Sequence, residues 1–249
     1  MGKLSGIIKL EGTLDGLTFY KSQDGYMVRT KGGISKKRIL NDPAFVRTRE
    51  NIAEFGLNAT AGKWIRNSIG PLLNRAKDPK LSSRMVQLMS AIKNQDTTSA
   101  RGKRMVTHGL TTDAGKQLLK GFDFNNRAIL GAVLHSPYTL DTATGEITIA
   151  DFSTQEQLRA PDNATHVSFR TAFVALDLTT GIFETSYSPV SNLVIEAGVS
   201  SVFLTPDAVP TAIGNQFFYL LIEFFQEVNG VQYPLRSGAF NTLNLIEVL

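Results

Sequence analysis

The sequence predicts an α+β protein: a small N-terminal β-meander plus helices, followed by an antiparallel β-sandwich of the immunoglobulin/fibronectin-like kind. Three observations predict it. Apolar residues at helical spacing are confined to the stretch between residues 42 and 120. From Ala128 onward, short apolar runs alternate with turn signals. The charge divides at the same place. Residues 1–127 hold 23 Lys and Arg against 10 Asp and Glu, a net of +13, whereas residues 128–249 hold 3 Arg, no Lys and 12 Asp and Glu, a net of −9. The overall +4 conceals this division. Two domains are expected: 1–127, basic and hairpin/helical, and 128–249, an acidic β-sandwich.

The elements follow in order. Ile7, Ile8 and Leu10 before Gly12, then Leu17, Phe19 and Tyr20 after Gly16, read as short strands. Gln23-Asp24-Gly25 is a turn into a strand at Tyr26-Met27-Val28, because Asp-Gly supplies the positive φ that tight hairpins need. Gly32-Gly33 and Lys36-Lys37-Arg38 form a loop. Asp42-Pro43 starts a helix, Asp capping free N–H groups and Pro tolerated at the first helical position. Its apolar face is Phe45, Ile52 and Phe55, with Arg47, Arg49 and Glu50 outward. A second helix is expected from Thr60 to Ala76, bent at Gly70-Pro71. A third runs from Leu81 to Asn94 on the stripe Leu81, Met85, Leu88, Met89 and Ile92. Residues 94–104 are irregular, and a short helix follows Asp113 with Leu118 and Leu119 inward.

Nine strands are then expected: Ile129–Leu134, Glu146–Ile149, His166–Leu176, Ile182–Tyr187, Leu193–Ile195, Ser200–Leu204, Phe217–Gln226, Val231–Leu235 and Leu243–Val248. Thr144-Gly145, Thr180-Gly181, Pro206-Asp207, Asn229-Gly230 and Ser237-Gly238 separate them, and Asn229-Gly230 is the strongest hairpin signal. Two echoes occur. Leu140–Gly145 (LDTATG) resembles Leu176–Gly181 (LDLTTG) and predicts the same turn twice. Gly56–Lys63 (GLNATAGK) resembles Gly109–Lys116 (GLTTDAGK), and both are expected to open a helix.

Composition excludes several functions. With no cysteine there is no disulfide, thiolate metal site or cysteine nucleophile. The opening residues lack the apolar core of a signal peptide, and Gly6 stands where myristoylation needs Ser or Thr. The longest apolar run, Phe217 to Ile222, is too short for a bilayer. The expected location is cytoplasmic, or in a particle released without a signal peptide.

No catalytic constellation emerges. The two Gly-to-Lys segments are not phosphate loops, because the glycines stand one residue too far apart and Trp64 or Gln117 replaces the magnesium-binding hydroxyl. His108, His135 and His166 lie in different elements. Glu223 and Glu227 read as ordinary edge charges beside Phe224-Phe225. Asp141 and Asp177 belong to turns and lack the alternating oxygens of a calcium loop. No enzyme, cofactor or metal is expected.

The basic segments carry the functional expectation. Lys31, Lys36, Lys37, Arg38, Arg47 and Arg49 form one group, and Arg101, Lys103 and Arg104 another. They suit an acidic protein surface or nucleic-acid phosphates. Tyr20, Tyr26 and Phe45 lie near the first group; they read chiefly as core residues, with base stacking as the alternative.

The Gly-rich opening, Gly16 to Tyr20, Tyr26-Met27-Val28-Arg29, the basic loop, and Asp42-Pro43 leading into Arg47–Phe55 resemble uncharacterised proteins encoded in Bacteroidetes genomes. Those proteins place a Gly-rich hairpin and basic helix before a β-rich tail. The resemblance covers residues 5–75. It implies no catalytic residues and a non-enzymatic role.

The leading expectation is a structural protein that joins copies of itself head to tail, as a filament, tube or phage-like particle subunit. The basic half of one copy would meet the acidic half of the next. The alternative is a nucleic-acid-binding protein using the basic half. A third reading has the two halves docking within one chain, so that their charges cancel internally.

Overall fold

The computed structural model describes residues 2–6, 8–30, 32–235 and 240–249. Ile7, Lys31 and the Ser237-Gly238 turn lie outside the described residues. The chain forms two compact units, 1–52 and 53–249.

The first unit opens with β1 (Gly2–Lys3), β2 (Gly12–Leu14), β3 (Leu17–Ser22) and β4 (Gly25–Thr30). They form one antiparallel sheet in the order β1-β4-β3-β2. β3 and β4 form the hairpin the sequence predicts, but residues 8–10 of the expected first strand lie outside any strand; Gly12–Leu14 pairs with β3 instead, and β1 is added along β4. Direct cross-strand partners share a face, so Leu17, Phe19 and Val28 stand together, with Leu14 beside Leu17 and Lys21 opposite Tyr26. A short helix α1 (Lys36–Asn41) and the 3₁₀ turn Pro43–Phe45 follow. Among the described residues of 2–52, no side chain is fully buried.

Helix α2 (Val46–Ser68) begins in the first unit and ends in the second. It joins the first two expected helices into one, so Gly56–Lys63 lies inside a helix and opens none. The expected apolar face is not the buried one. Ile52 is 56% exposed and Phe55 59%, whereas Glu54, Asn58, Ala61, Gly62, Ile65 and Ser68 are buried. A carboxylate inside and a phenyl ring outside invert the hydrophobic rule, and the inversion has an electrostatic cause described below. Short α3 (Gly70–Leu73) carries Pro71 in its first turn and marks the expected break. Helices α4 (Leu81–Lys93), α5 (Val106–Gly109) and α6 (Asp113–Leu119) complete the layer. Thr112 caps α6 by accepting from Gly115 N at 3.0 Å, so the second echo does open a helix. Of the pair expected inward, Leu119 is buried but Leu118 is 41% exposed.

Ile129–Leu134, expected as a strand, contains the helical turn α7 (Leu130–Val133). The Asp123 carboxylate accepts from Leu130 N at 2.9 Å and so caps that turn from outside its own segment. The strands are β5 (Thr139–Leu140), β6 (Ile147–Phe152), β7 (His166–Leu176), β8 (Phe183–Tyr187), β9 (Ser191–Val194), β10 (Ser200–Leu204), β11 (Asn215–Val228), β12 (Val231–Pro234) and β13 (Thr242–Val248).

β7 and β11 form the spine. They pair antiparallel from Asn215↔Leu176 to Phe225↔His166. Each outer edge is served by two short strands end to end: β8 and β9 along β7, β13 and β12 along β11. The spine is apolar on both faces. Ala172, Val174, Leu176, Phe217, Tyr219 and Leu221 join the helices in one core. Val167, Phe169, Leu220, Ile222 and Phe224 join the three-stranded sheet β10-β6-β5 in a second. The second unit is thus helices, a six-stranded antiparallel sheet and a three-stranded sheet in layers. Two of the outer strands, β13 and β8, are covered along their free edges. Residues 121–124 run along β13, and residues 207–212 are fastened to β8 through Tyr187 O, Ser186 and Glu184.

Packing therefore divides the chain between Ile52 and Ala53, while charge divides it between Arg127 and Ala128. Residues 53–127 hold 13 Lys and Arg against 5 Asp and Glu, a net of +8, and share their core with the −9 of residues 128–249. The second unit thus carries −1, and the uncompensated +5 lies in residues 1–52, with 10 Lys and Arg against 5 Asp and Glu.

The LDTATG and LDLTTG echo is one turn built twice. In each, the Asp carboxylate accepts from the amide two residues on (Ala143, 2.9 Å; Thr179, 2.7 Å) and from the Thr hydroxyl three residues on (2.8 and 2.7 Å). Gly145 and Gly181 close them at φ 77° and 78°. A Cβ at Gly181 would overlap the Trp64 indole, whereas one at Gly230, with φ 77° in the Asn229-Gly230 hairpin, would meet nothing within 4 Å. Gly230→Ala is expected to cost about 1 kcal/mol for the left-handed backbone alone. Gly181→Ala should cost more, about 2–4 kcal/mol, because overlap adds to the same backbone term. Urea unfolding of the two variants checks the difference, and equal losses would remove the Trp64 contact.

Candidate functional site

The first basic group surrounds α1. Ser35 caps this helix, its hydroxyl accepting from Arg38 N at 3.3 Å. Lys36 and Lys37 occupy the first turn, where no acidic residue stands. A helix start favours anions, so these lysines do not serve the helix; both are exposed. Arg38 donates to Asp42 Oδ2 at 3.2 Å and lies 5.7 Å from the Phe45 ring. Asp42 Oδ1 accepts from Ala44 N at 2.9 Å, so Asp42-Pro43 is the cap the sequence predicts, although it opens a 3₁₀ turn. Arg47 pairs with Glu50 at 2.9 Å. Arg49 donates to the carbonyls of Ile39 (2.7 Å) and Asp42 (3.0 Å), closing the end of α1. Three of these arginines thus do local structural work. Tyr20 and Tyr26, half-buried, already face cations: Arg29 lies 5.5 Å from Tyr20, and Lys9 and Lys21 lie 5.6 and 5.9 Å from Tyr26.

The second group lies on the loop between α4 and α5. Arg101 and Lys103 are exposed. Arg104 is not a free surface cation. Its Nε and Nη2 donate to the two oxygens of Glu54 at 2.8 and 2.9 Å. Gly102 N adds a bond at 2.8 Å, and Lys93 Nζ pairs with the same carboxylate. Glu54 is 1% exposed and Lys93 8%. Residues 101–104 are therefore drawn onto α2 by one buried anion, which explains why α2 turns Glu54 inward and leaves Phe55 outside. The basic groups lie in different units, and within the first Arg38 and Arg49 are brought together at Asp42.

Asp96 organises the rest of this loop. Its Oδ1 accepts from Thr98 N, Thr98 Oγ1 and Ser99 N at 2.8–3.0 Å. Its Oδ2 accepts from Met105 N at 3.0 Å and faces His108 Nδ1 at 3.2 Å. Ser99 Oγ also meets His108 Nδ1, at 3.0 Å, so serine and aspartate share one ring nitrogen and form no nucleophile–base relay. Sequence reading missed both carboxylates. The only signal was at Glu54, an acid within an otherwise helical pattern; Asp96 lies in a stretch read as irregular.

His108, His135 and His166 remain apart, with His166 Nε2 3.5 Å from Glu227. Among the described residues no group of three or more His, Asp or Glu is placed to hold a metal, and no helix is long and apolar enough to cross a membrane. Glu223 corrects the edge-charge expectation. It lies on the central strand β11, opposite Ser168, 3.8 Å from Arg75, and burial pushes its carboxyl up.

Of the buried carboxyls Glu54, Asp78 and Asp96, the first and last contribute most to stability in acid. Arg104 above all, with Lys93 and Gly102 N, holds the Glu54 carboxyl far below its ordinary 4.5, against the upward push of burial. Burial likewise pushes Asp96 up, but Met105 N, Ser99 and Thr98 hold it far below its ordinary 3.8. Between the folded and unfolded values the unfolded chain binds more protons, so stability rises with pH. The contribution is complete above about pH 5 and is lost as pH falls toward the depressed folded values. Glu54→Gln is expected to lose about 3 kcal/mol at pH 7, because Lys93 and Arg104 lose their counter-charge. It should also show a shallower decline between about pH 5 and 3. Urea titrations at several pH values measure both effects.

Compared with protein-family profiles, curated proteins and solved structures, the chain matches none.

Proposed function

We propose that the chain is a non-enzymatic structural subunit that joins copies of itself head to tail, the first unit of one copy seated on the acidic β-rich part of the next. One observation carries this reading: the described residues of 2–52 fold as a four-stranded sheet and short helices, and none of them has a buried side chain. A small sheet needs a covered apolar face for stability. Here Leu14 is 67% exposed and Leu17 38%, on the face they share with Phe19 and Val28. The unit's +5 supplies charge, with Lys36 and Lys37 exposed. Residues 128–249 offer exposed Asp151, Glu156, Asp162 and Glu196. Apolar contact would supply affinity, and charge the register and rate. Because the two surfaces differ, the contact is heterologous and makes a ring, filament, tube or phage-like particle. The resemblance to Bacteroidetes proteins with a Gly-rich hairpin and basic helix belongs to this reading. So does the immunoglobulin/fibronectin-like assignment, supported by two antiparallel sheets that share a core.

Light scattering on the full chain, at low and high salt, tests it. We expect a mass well above the 27.2 kDa monomer, falling as salt screens the charges. Val28→Glu, at the centre of the apolar face, should return the protein to monomer with its circular dichroism unchanged. A 27.2 kDa monomer at both salts would overturn the proposal. If that monomer bound DNA or RNA with steep salt dependence, the nucleic-acid reading would replace it.

A further inference from the structure

Near one end of the spine, the helix-facing side of the sheet changes character. Inward positions on β7 run Leu176, Val174, Ala172, then Arg170 and Ser168. On β11 they run Phe217, Tyr219, Leu221, then Glu223 and Phe225. Helix α3 and the residues after it do not fill the space above. They leave a cleft of about 230 Å³ with Leu72 and Arg75 on the wall opposite Leu221 and Phe225. Arg170 is fixed in this cleft. Its Nε donates to Ser188 O at 3.0 Å and its guanidinium lies 4.7 Å from the Tyr187 ring. Its terminal nitrogens have no ion-pair partner among the described residues. Glu223 is 3.8 Å from Arg75 and feels Arg170 as well. Two guanidiniums therefore face one carboxylate, and the cleft is one negative charge short of neutral.

The geometry points to a binding site for a small carboxylate that carries an apolar group, its carboxylate on Arg170 and Arg75 and its apolar body against Leu72, Leu221 and Phe225. A planar guanidinium already oriented by stacking accepts a carboxylate bidentately with little entropy to lose. The volume suits about ten non-hydrogen atoms, since a 150 Å³ cavity takes benzene. Glu223 competes with the ligand for both arginines and so sets the affinity. Two sources share this chemistry: a free aryl or alkyl acid, and the terminal carboxylate of a peptide ending in an apolar residue.

Calorimetric titration of the full chain with phenylacetate, and with acetyl-Gly-Phe bearing a free terminus, tests the site and separates the sources. Each acid is paired with its amide. Binding of either acid at least about tenfold tighter than its amide is expected, and the tighter of the two names the source. Arg170→Gln should weaken the acid about tenfold, with folding checked by circular dichroism. Glu223→Gln should strengthen it about threefold or more, a gain that damaged folding cannot imitate. No binding of either acid at about 20 mM, or equal binding of acid and amide, would overturn the proposal. So would an unchanged affinity in both variants.

Discussion

The pairing of β7 with β11 is the constraint on which the second unit depends. It is the longest ladder in the chain, from Asn215↔Leu176 to Phe225↔His166, and both its faces are apolar. A sheet buried on one side needs one covering layer; this one needs two. The helices supply the first and the β10-β6-β5 sheet the second. The outer strands can be short because two share each edge of a long central strand, and a register error on the spine would turn every side chain to the wrong core.

Against that apolar frame the buried charges stand out. Glu54 and Asp96 sit in the helical layer, each with enough donors to remain ionised. Their role is local: they hold residues 94–105, a stretch with few apolar side chains, against helices that have them. Removing one partner would leave an uncompensated charge in a dry place, which is why such clusters resist piecemeal substitution. Arg104, which by sequence belongs to a basic surface, is committed inward for the same reason.

Much of the β-rich region was legible. β7 and β10 fall at the expected residues, Asn229-Gly230 makes its hairpin, and the twin Asp-x-x-Thr-Gly turns repeat bond for bond. These features are local: period, turn chemistry and β-branched content decide them. What failed was non-local. Ile129–Leu134 has strand composition, but a carboxylate on Asp123 caps it into a helical turn. Phe55 has core composition, but Glu54 takes the inward position because Lys93 and Arg104 arrive from far along the chain. The charge division misled about packing, since attraction between a basic helical stretch and an acidic sheet favours one unit as readily as two. Of the site residues, Lys36, Lys37, Arg101 and Lys103 lie at the surface as composition suggests, whereas Arg75, Arg170 and Glu223 become a group only when the sheet places them side by side.

The order of the layers along the chain has a consequence for biosynthesis. The apolar faces of α2, α4 and α6 leave the ribosome well before β7, and longer before β11, the strands that cover them. For that interval the nascent helices carry an uncovered hydrophobic stripe. Such sticky intermediates are what chaperones hold. Maturation of residues 53–249 is therefore paced by sequence-distant contacts and runs on the slow side for its size.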